Sequence, residues 1–276
     1  MGYASSNGIR LYYEIYGEGY PILFVHGFGG CRLEWFVQAR IISKKFKAIV
    51  FDNRGAGKSD RPNYPYTMDM FVDDIKGLMD YLKIEKAHIC GASLGGMIVQ
   101  NFAIKYPNRV NKLVLINTFP GFPNQQGIEM YKKGLINRYH GKLKDPAKSF
   151  FDSANTGYTR KFIKQMRENP KKKFFDLFSA EDIIKNDITD MTTPQDIENS
   201  ANAIAGHEVR DRLSEIKNKT LVLCAEKDKL SPVLINEQIH KLILNSEFKV
   251  IKDAGHNSKL EKALETNQAI LDFLSN

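Results

Sequence analysis

Apolar residues along the chain fall into two recurring kinds of run. Seven stretches are short and dense in β-branched and aromatic residues: "IRLYYEIYG", "YPILFVHG", "FKAIVFD", "KAHICGAS", "VNKLVLINT", "KTLVLCAEKD" and "EFKVIKDAGH". Such runs, bounded by Gly, Asn, Asp and Pro, read as strands. Between them lie stretches with apolar residues at helical spacing. In "MFVDDIKGLMDYLKI" these are Phe71, Ile75, Leu78, Met79 and Leu82. "LGGMIVQNFAIKYP" reads as a helix stopped by Pro107, and "SPVLINEQIHKLI" and "KALETNQAILDFLS" as two more. Wholly apolar strands alternating with helices imply a mostly parallel central sheet covered on both faces. The alternation breaks from Phe119 to Ala205, where the sequence is polar, interrupted by Gly and Asn, and helical without a matching strand. The expected organisation is an α/β core of residues 1–118 and 206–276, with a helical insertion, 119–205, forming a cap.

A length of 276 residues suits one large α/β domain carrying such an insertion. No apolar run approaches the roughly 18 residues of a membrane span, and "MGYASSNGIRLYYEIYG" has neither a basic nor an apolar leader region. Gly2 and Ser6 match a myristoylation pattern, but a strand-like run follows directly and the match reads as chance. Cys31, Cys90 and Cys224 are odd in number and scattered, which argues for a reducing compartment, hence a cytoplasmic protein without disulfides. No Cys/His cluster has zinc spacing, and no metal or cofactor is expected. The net charge of +8 is uneven. Residues 119–178 carry thirteen Lys/Arg against five Asp/Glu, and residues 179–205 one Lys against six acids. Solvated helix faces explain this most simply; its functional reading is steering of an anionic small molecule. No nucleic-acid-binding module is present, and no integral membrane contact is expected.

Three motifs carry chemistry. "DNRGAGKSD" (52–60) ends like a phosphate-binding loop, but Asp52 stands where such a loop needs its first Gly. "RPNYPYT" then replaces the helix that would hold the anion. A tight structural turn is the better reading. "GASLG" (91–95) matches G-x-S-x-G and sits between a strand and a helix. That context forces a sharp, strained turn that lifts the Ser93 hydroxyl to a helix N-terminus, so Ser93 is the expected nucleophile. A serine needs a base and the base an orienting acid. Of six histidines, His256 alone follows the last strand on a Gly-opened loop, where open parallel sheets collect their ligands. Asp228 ends the preceding strand, 28 residues earlier, and completes the chain order Ser93, Asp228, His256. Glu226 and Asp253 are rivals for the acid, and Asn117 stands where an alternative acid could lie. An oxyanion would take the backbone N–H of Leu94 and of Phe28 in "HGFGG".

These motifs, with "AEKD" and "DAGH", appear in the order seen in the α/β-hydrolase superfamily. Over nearly the whole chain they resemble its esterase, enol-lactonase and cofactor-free haloperoxidase-like branch. The resemblance implies an α/β-hydrolase fold and makes "DNRGAGKSD" a structural loop, with Asp52 and Arg54 as a paired couple. It implies a carboxylesterase-type serine hydrolase acting on a small-molecule ester. Lactone or carbon–carbon bond hydrolysis on the same triad is the alternative, as is a hydrolase-fold binding protein with little turnover. A serine nucleophile argues against epoxide hydrolase or dehalogenase chemistry. Trp35, Phe119 and Phe122 are expected to line the substrate pocket.

Overall fold

In the computed structural model, which describes residues 1–121 and 125–276, eight strands form one sheet in the order β1-β2-β4-β3-β5-β6-β7-β8. The strands are β1 (Gly2–Ser6), β2 (Ile9–Tyr16), β3 (Pro21–Val25), β4 (Lys47–Phe51), β5 (Ala87–Ala92), β6 (Val110–Ile116), β7 (Lys219–Ala225) and β8 (Ser246–Ile251). From β4 across to β8 every pairing is parallel, while β1 and β2 run antiparallel at one edge. The strand β1 lies outside the apolar runs because "GYASS" is too small and polar to show one. It is held instead by its register with β2, from Gly2–Tyr13 to Ser6–Ile9.

Both faces of the sheet are buried, as the apolar strands require. On one face, Leu23, Ile49, Ile89 and Leu113 meet the apolar sides of α2 (Met68–Tyr81) and α3 (Leu94–Lys105). On the other, Ile22, Phe24, Cys90 and Leu221 meet α1 (Phe36–Ile42) and the last helix, Ala263–Ser275. Each of these cores removes a continuous apolar layer from water, the main favourable term in folding.

Between β6 and β7 the chain makes five α-helices and no sheet strand among the described residues. They are α4 (Gln125–Lys144), α5 (Pro146–Ser153), α6 (Arg160–Glu168), α7 (Ala180–Ile188) and α8 (Pro194–Ala205). Their start points are written locally. Asp145 and Thr159 accept the N–H groups of Lys148 and Phe162, and Ser179/Asp182 and Thr193/Asp196 form capping boxes. Phe150, Phe162, Met166, Phe174, Phe178 and Ile183 form a small core that this segment shares with Val37, Leu260 and Ala263. After β7 come α9 (Val233–Leu242), α10 (Ser258–Glu261) and α11, the last helix.

The pairing expected between Asp52 and Arg54 is corrected. Arg54 turns to Asp74 on α2, with both guanidinium contacts at 2.7 Å. Asp52 instead accepts from the Arg32 backbone N–H (2.7 Å), Arg32 Nη1 (2.9 Å) and the Lys58 N–H (2.9 Å). Gly57 is required beside it: a Cβ there would stand 2.1 Å from the Asp52 carboxylate, at φ +53°. Two neighbours in sequence therefore reach opposite ways because the tight turn separates their side chains.

Two predictions follow from these buried polar groups. Asp74→Ala strands the Arg54 guanidinium in the core and should lower stability by about 3–5 kcal/mol in denaturant titrations, whereas an unchanged midpoint would remove the pair's structural role. His88 and His207 are buried, and burial pushes each from the ordinary 6.5 to about 4. Between those values the unfolded chain binds protons that the native chain refuses, so stability falls as pH drops from about 6.5 to 4, by on the order of 3 kcal/mol per histidine. His88→Leu should flatten that slope in pH-dependent unfolding; an equal slope would assign it to other groups.

Candidate active site

The strand β5 is turned into α3 by two glycines with no room for a side chain. A Cβ on Gly91 would stand 2.3 Å from the Gly95 carbonyl oxygen, and one on Gly95 would stand 2.0 Å from that of Val25. The backbones therefore approach closely, and Ser93 between them adopts φ 54°, ψ −120°. A non-glycine residue at positive φ is strained, and it persists because its surroundings fix it. The Ser93 N–H donates to Ile116 (3.0 Å), and the Thr118 hydroxyl donates to the Ser93 carbonyl (2.7 Å). The side chain is thereby presented at the N-terminus of α3, on the wall of a cavity of about 560 Å³.

His256 and Asp228 are brought together from the loops after β8 and β7. Asp228 Oδ2 lies 2.7 Å from His256 Nδ1, and its Oδ1 accepts the N–H groups of Leu230 (2.8 Å) and Ser231 (3.0 Å). The Asp228 side chain is fully buried and that of His256 is nearly so, with its ring on the same cavity as Ser93. The rivals are engaged elsewhere. Glu226 accepts from Lys252 and the Asp253 N–H on the surface, and Asp253 pairs with Lys227.

Asn117 has a part that sequence reasoning missed. At φ 47° its side chain donates to the His256 carbonyl (2.6 Å) and the Ser258 hydroxyl (3.0 Å), and accepts the Ala225 N–H (2.8 Å). One amide thus ties the ends of β6 and β7 to the histidine loop. Its position at the C-terminal end of a strand was the signal, since short polar residues tolerate the left-handed region.

The "HGFGG" loop lies opposite. The Asn53 N–H donates to His26 Nε2 (3.0 Å), so the ring proton sits on Nδ1, which donates to the Gly27 carbonyl (2.9 Å). That bond anchors the loop on "DNRGAGKSD". Neither the Phe28 nor the Leu94 N–H donates a hydrogen bond among the described residues, so the two donors proposed for an oxyanion are both unengaged. Gly27 passes close to the nucleophile: a Cβ there would touch Ser93 Cβ at 3.5 Å.

The far wall of the cavity comes from the helices between β6 and β7. Tyr131, Leu135, Arg138, Tyr139 and Lys142 of α4, Phe150 of α5, Tyr158 and Asp187 of α7 line it, with Asp187 in contact with Arg138 and Lys142. Burial pushes the Tyr131 hydroxyl up to about 12 and Tyr158 higher still, so both remain neutral donors. Phe28 lines the cavity, but Trp35 and Phe119 do not. Trp35 is turned into the sheet, its ring 5.0 Å from Phe24, and Phe119 is buried near His207, whose Nε2 donates to its carbonyl (3.2 Å). Phe122 lies outside the described residues. Among the described residues no group of His, Cys, Asp and Glu is placed to hold a metal ion, and no helix is long and apolar enough to cross a membrane.

Comparison with known proteins agrees with this architecture. Residues 20–263 match the family model described as alpha/beta hydrolase fold. The chain is 29% identical to a 2-hydroxy-6-oxononadienedioate/2-hydroxy-6-oxononatrienedioate hydrolase of Paraburkholderia phymatum, over 96% of this chain and 91% of that one. It is 26% identical to 3-oxoadipate enol-lactonase 2 of Acinetobacter baylyi, over 96% and 93%. Among solved structures it superposes on a thermophilic esterase from Thermogutta terrifontis, malate bound, with a TM-score of 0.81 and 26% identity, over 99% of this chain and 97% of that one.

Proposed function

The chain belongs to the alpha/beta hydrolase fold family, and on that premise we propose that it is a serine hydrolase cleaving carboxylic esters through an acyl-enzyme on Ser93. The observation that carries this is the contact of His256 with the buried Asp228 on the cavity wall that holds the strained Ser93. With Nδ1–H donating to Asp228, His256 Nε2 is left to accept the Ser93 proton as Oγ attacks the carbonyl carbon. The developing oxyanion takes the free N–H groups of Phe28 and Leu94. Collapse of the tetrahedral intermediate breaks the bond to the leaving oxygen, which receives the proton from His256. Water then adds to the acyl-enzyme, gives a proton to the same nitrogen and releases the acid, returning the proton to Ser93. Residues 119–205 act as a cap whose inner face sizes the acyl or leaving group. A lactone presents the same carbonyl chemistry, and the name of the enol-lactonase relative supports that second reading.

The first test is hydrolysis of p-nitrophenyl esters of graded acyl length, with fluorophosphonate labelling of the same preparations. Ser93→Ala should lose at least about 10⁴-fold in kcat/KM and all labelling. Undiminished turnover in Ser93→Ala would sink the proposal. Labelling without ester turnover would move it to lactones or carbon–carbon bonds.

The substrate class we propose is anionic. Arg138 and Lys142 share the single carboxylate of Asp187, at 2.8 and 2.9 Å, which leaves one positive charge in excess at that point of the wall. Arg138 Nε is buried without a partner. The dienedioate and oxoadipate in the names of two relatives, and the malate bound to the esterase, support the same reading. At low salt a carboxylate-bearing ester should exceed its neutral analogue by about tenfold in kcat/KM, and Arg138→Gln should abolish the difference. Equal values in the wild type would refute it.

A further inference from the structure

The cavity wall beside the "HGFGG" loop holds an ion pair that the reaction above does not use. Glu34, in the short turn Arg32–Trp35, places Oε2 3.0 Å from Lys259 Nζ and 3.4 Å from the Gly27 N–H, which donates to it. The Lys259 side chain is only 7% exposed, and its ammonium also lies 4.9 Å above the Trp35 ring. Both residues line the cavity. The pocket for this carboxylate is built into the loop: a Cβ on Gly30 would stand 1.6 Å from Glu34 Oε1 and 2.5 Å from Cδ. The carboxylate is also close to the nucleophile, since a Cβ on Gly27 would touch both Glu34 Oε2 (3.6 Å) and Ser93 Cβ (3.5 Å).

Burying two charges costs more than filling the same space with apolar side chains, so such a pair is a poor device for stability alone. A carboxylate beside the oxyanion loop would moreover repel the negative charge that develops there. Lys259 offsets that repulsion. Burial pushes the Glu34 carboxyl up, but the Lys259 ammonium outweighs it and holds the group below the ordinary carboxylate range. Oε2 is taken by Lys259 and Gly27, whereas Oε1 accepts no hydrogen bond among the described residues, and the side chain is 29% exposed, on the cavity. A fixed, ionised carboxylate beside Gly27 of the oxyanion loop is left with one oxygen that has no donor among the described residues.

We propose that Glu34 is a substrate-binding residue whose Oε1 accepts a hydrogen bond from a hydroxyl or ammonium group that the substrate carries close to its scissile carbonyl, with Lys259 as the positioning residue that holds it. This rests on the serine-hydrolase reading and adds the donor to the anionic group recognised across the cavity. Hydroxyl and ammonium are the same hydrogen-bond chemistry from a neutral and a cationic source.

The test compares methyl butyrate, methyl 3-hydroxybutyrate and methyl 3-aminobutyrate by pH-stat at neutral pH. The wild type should favour at least one donor-bearing ester over the plain ester by about tenfold or more in kcat/KM, chiefly through KM. Glu34→Gln keeps an acceptor but not the charge, so it should retain a hydroxyl preference and lose an ammonium preference. Glu34→Met combined with Lys259→Met removes both charges and should bring either ratio to about one. Lys259→Arg, which keeps the counter-charge, should preserve the ratio, and Lys259→Met alone should lower it. A ratio of one in the wild type overturns the inference even if no variant folds, and so does a ratio unchanged in the double variant. Fluorophosphonate labelling in the same wild-type preparation separates the two readings. Labelling with plain-ester turnover but no donor preference overturns this inference alone; loss of both labelling and turnover overturns it together with the serine-hydrolase reading.

Discussion

Gly95 lacks a Cβ because the Val25 carbonyl occupies the space where one would stand, 2.0 Å away. Gly91 is bound in the same way by the carbonyl of Gly95. This close approach of β5, α3 and the end of β3 sets the sharp turn at Ser93, and much of the site is arranged around it. It holds the serine at positive φ, brings Gly27 against Ser93 Cβ and leaves the first N–H of α3 without a partner. The strain at one residue is repaid by the two apolar layers that clamp the sheet on either face. A mismatch of a few tenths of an ångström here would move the hydroxyl, the loop and the helix terminus together.

The other half of the site hangs on strand ends, and there a polar clamp adds to close packing. Asp228 and His256 stand on separate loops, set side by side by the β7–β8 pairing and the buried Ala225, Ile251 and Ala254. Asn117 adds a polar tie by bonding to the Ala225 N–H on one side and the His256 carbonyl and Ser258 hydroxyl on the other. An aspartate at 117 could not donate to that carbonyl or share the Ser258 hydroxyl in the same way. The amide that stands where an alternative acid could lie thus reinforces the link between the two loops.

Legibility followed range along the chain. Strands and helices whose apolar period is local were readable, and so were the turn at Ser93 and the loop positions of Asp228 and His256, because each is written within a few residues. Strand β1 was not, since "GYASS" has no apolar signal and is defined by its partner β2. Pairings across long separations were not either. The family resemblance pairs Arg54 with Asp52, yet it reaches 20 residues on to Asp74; Glu34 finds Lys259 225 residues away. Trp35 reads as a pocket aromatic from its place after "HGFGG", but whether a ring faces sheet or cavity depends on the turn between them. Charge in residues 119–205 was countable, but its pairing was not: most visibly, Arg138 and Lys142 converge on one aspartate.

That difference in range separates what the fold must keep from what it can vary. The helices of residues 125–205 share an aromatic cluster with Val37, Leu260 and Ala263 of the sheet side, and several of their further links to it are ionic: Arg32 to Asp190 at 3.1 Å, and Arg61 to Asp196. The helices also share apolar packing with the sheet, since Ile128 of α4 and Ile197 and Ile204 of α8 are buried in the same core, so substitution is tolerated best at polar positions on the cavity face. The cavity's chemistry can therefore be reset at Arg138 or Lys142 without disturbing Ser93. Glu34 is the exception. It lies on the sheet side, wedged against Gly30 and matched to Lys259, so changing it alone leaves a buried cation beside the oxyanion loop. Apolar side chains would fill the same space at less cost than two buried charges, so a charge at that point of the wall is better explained by the substrate it meets than by packing.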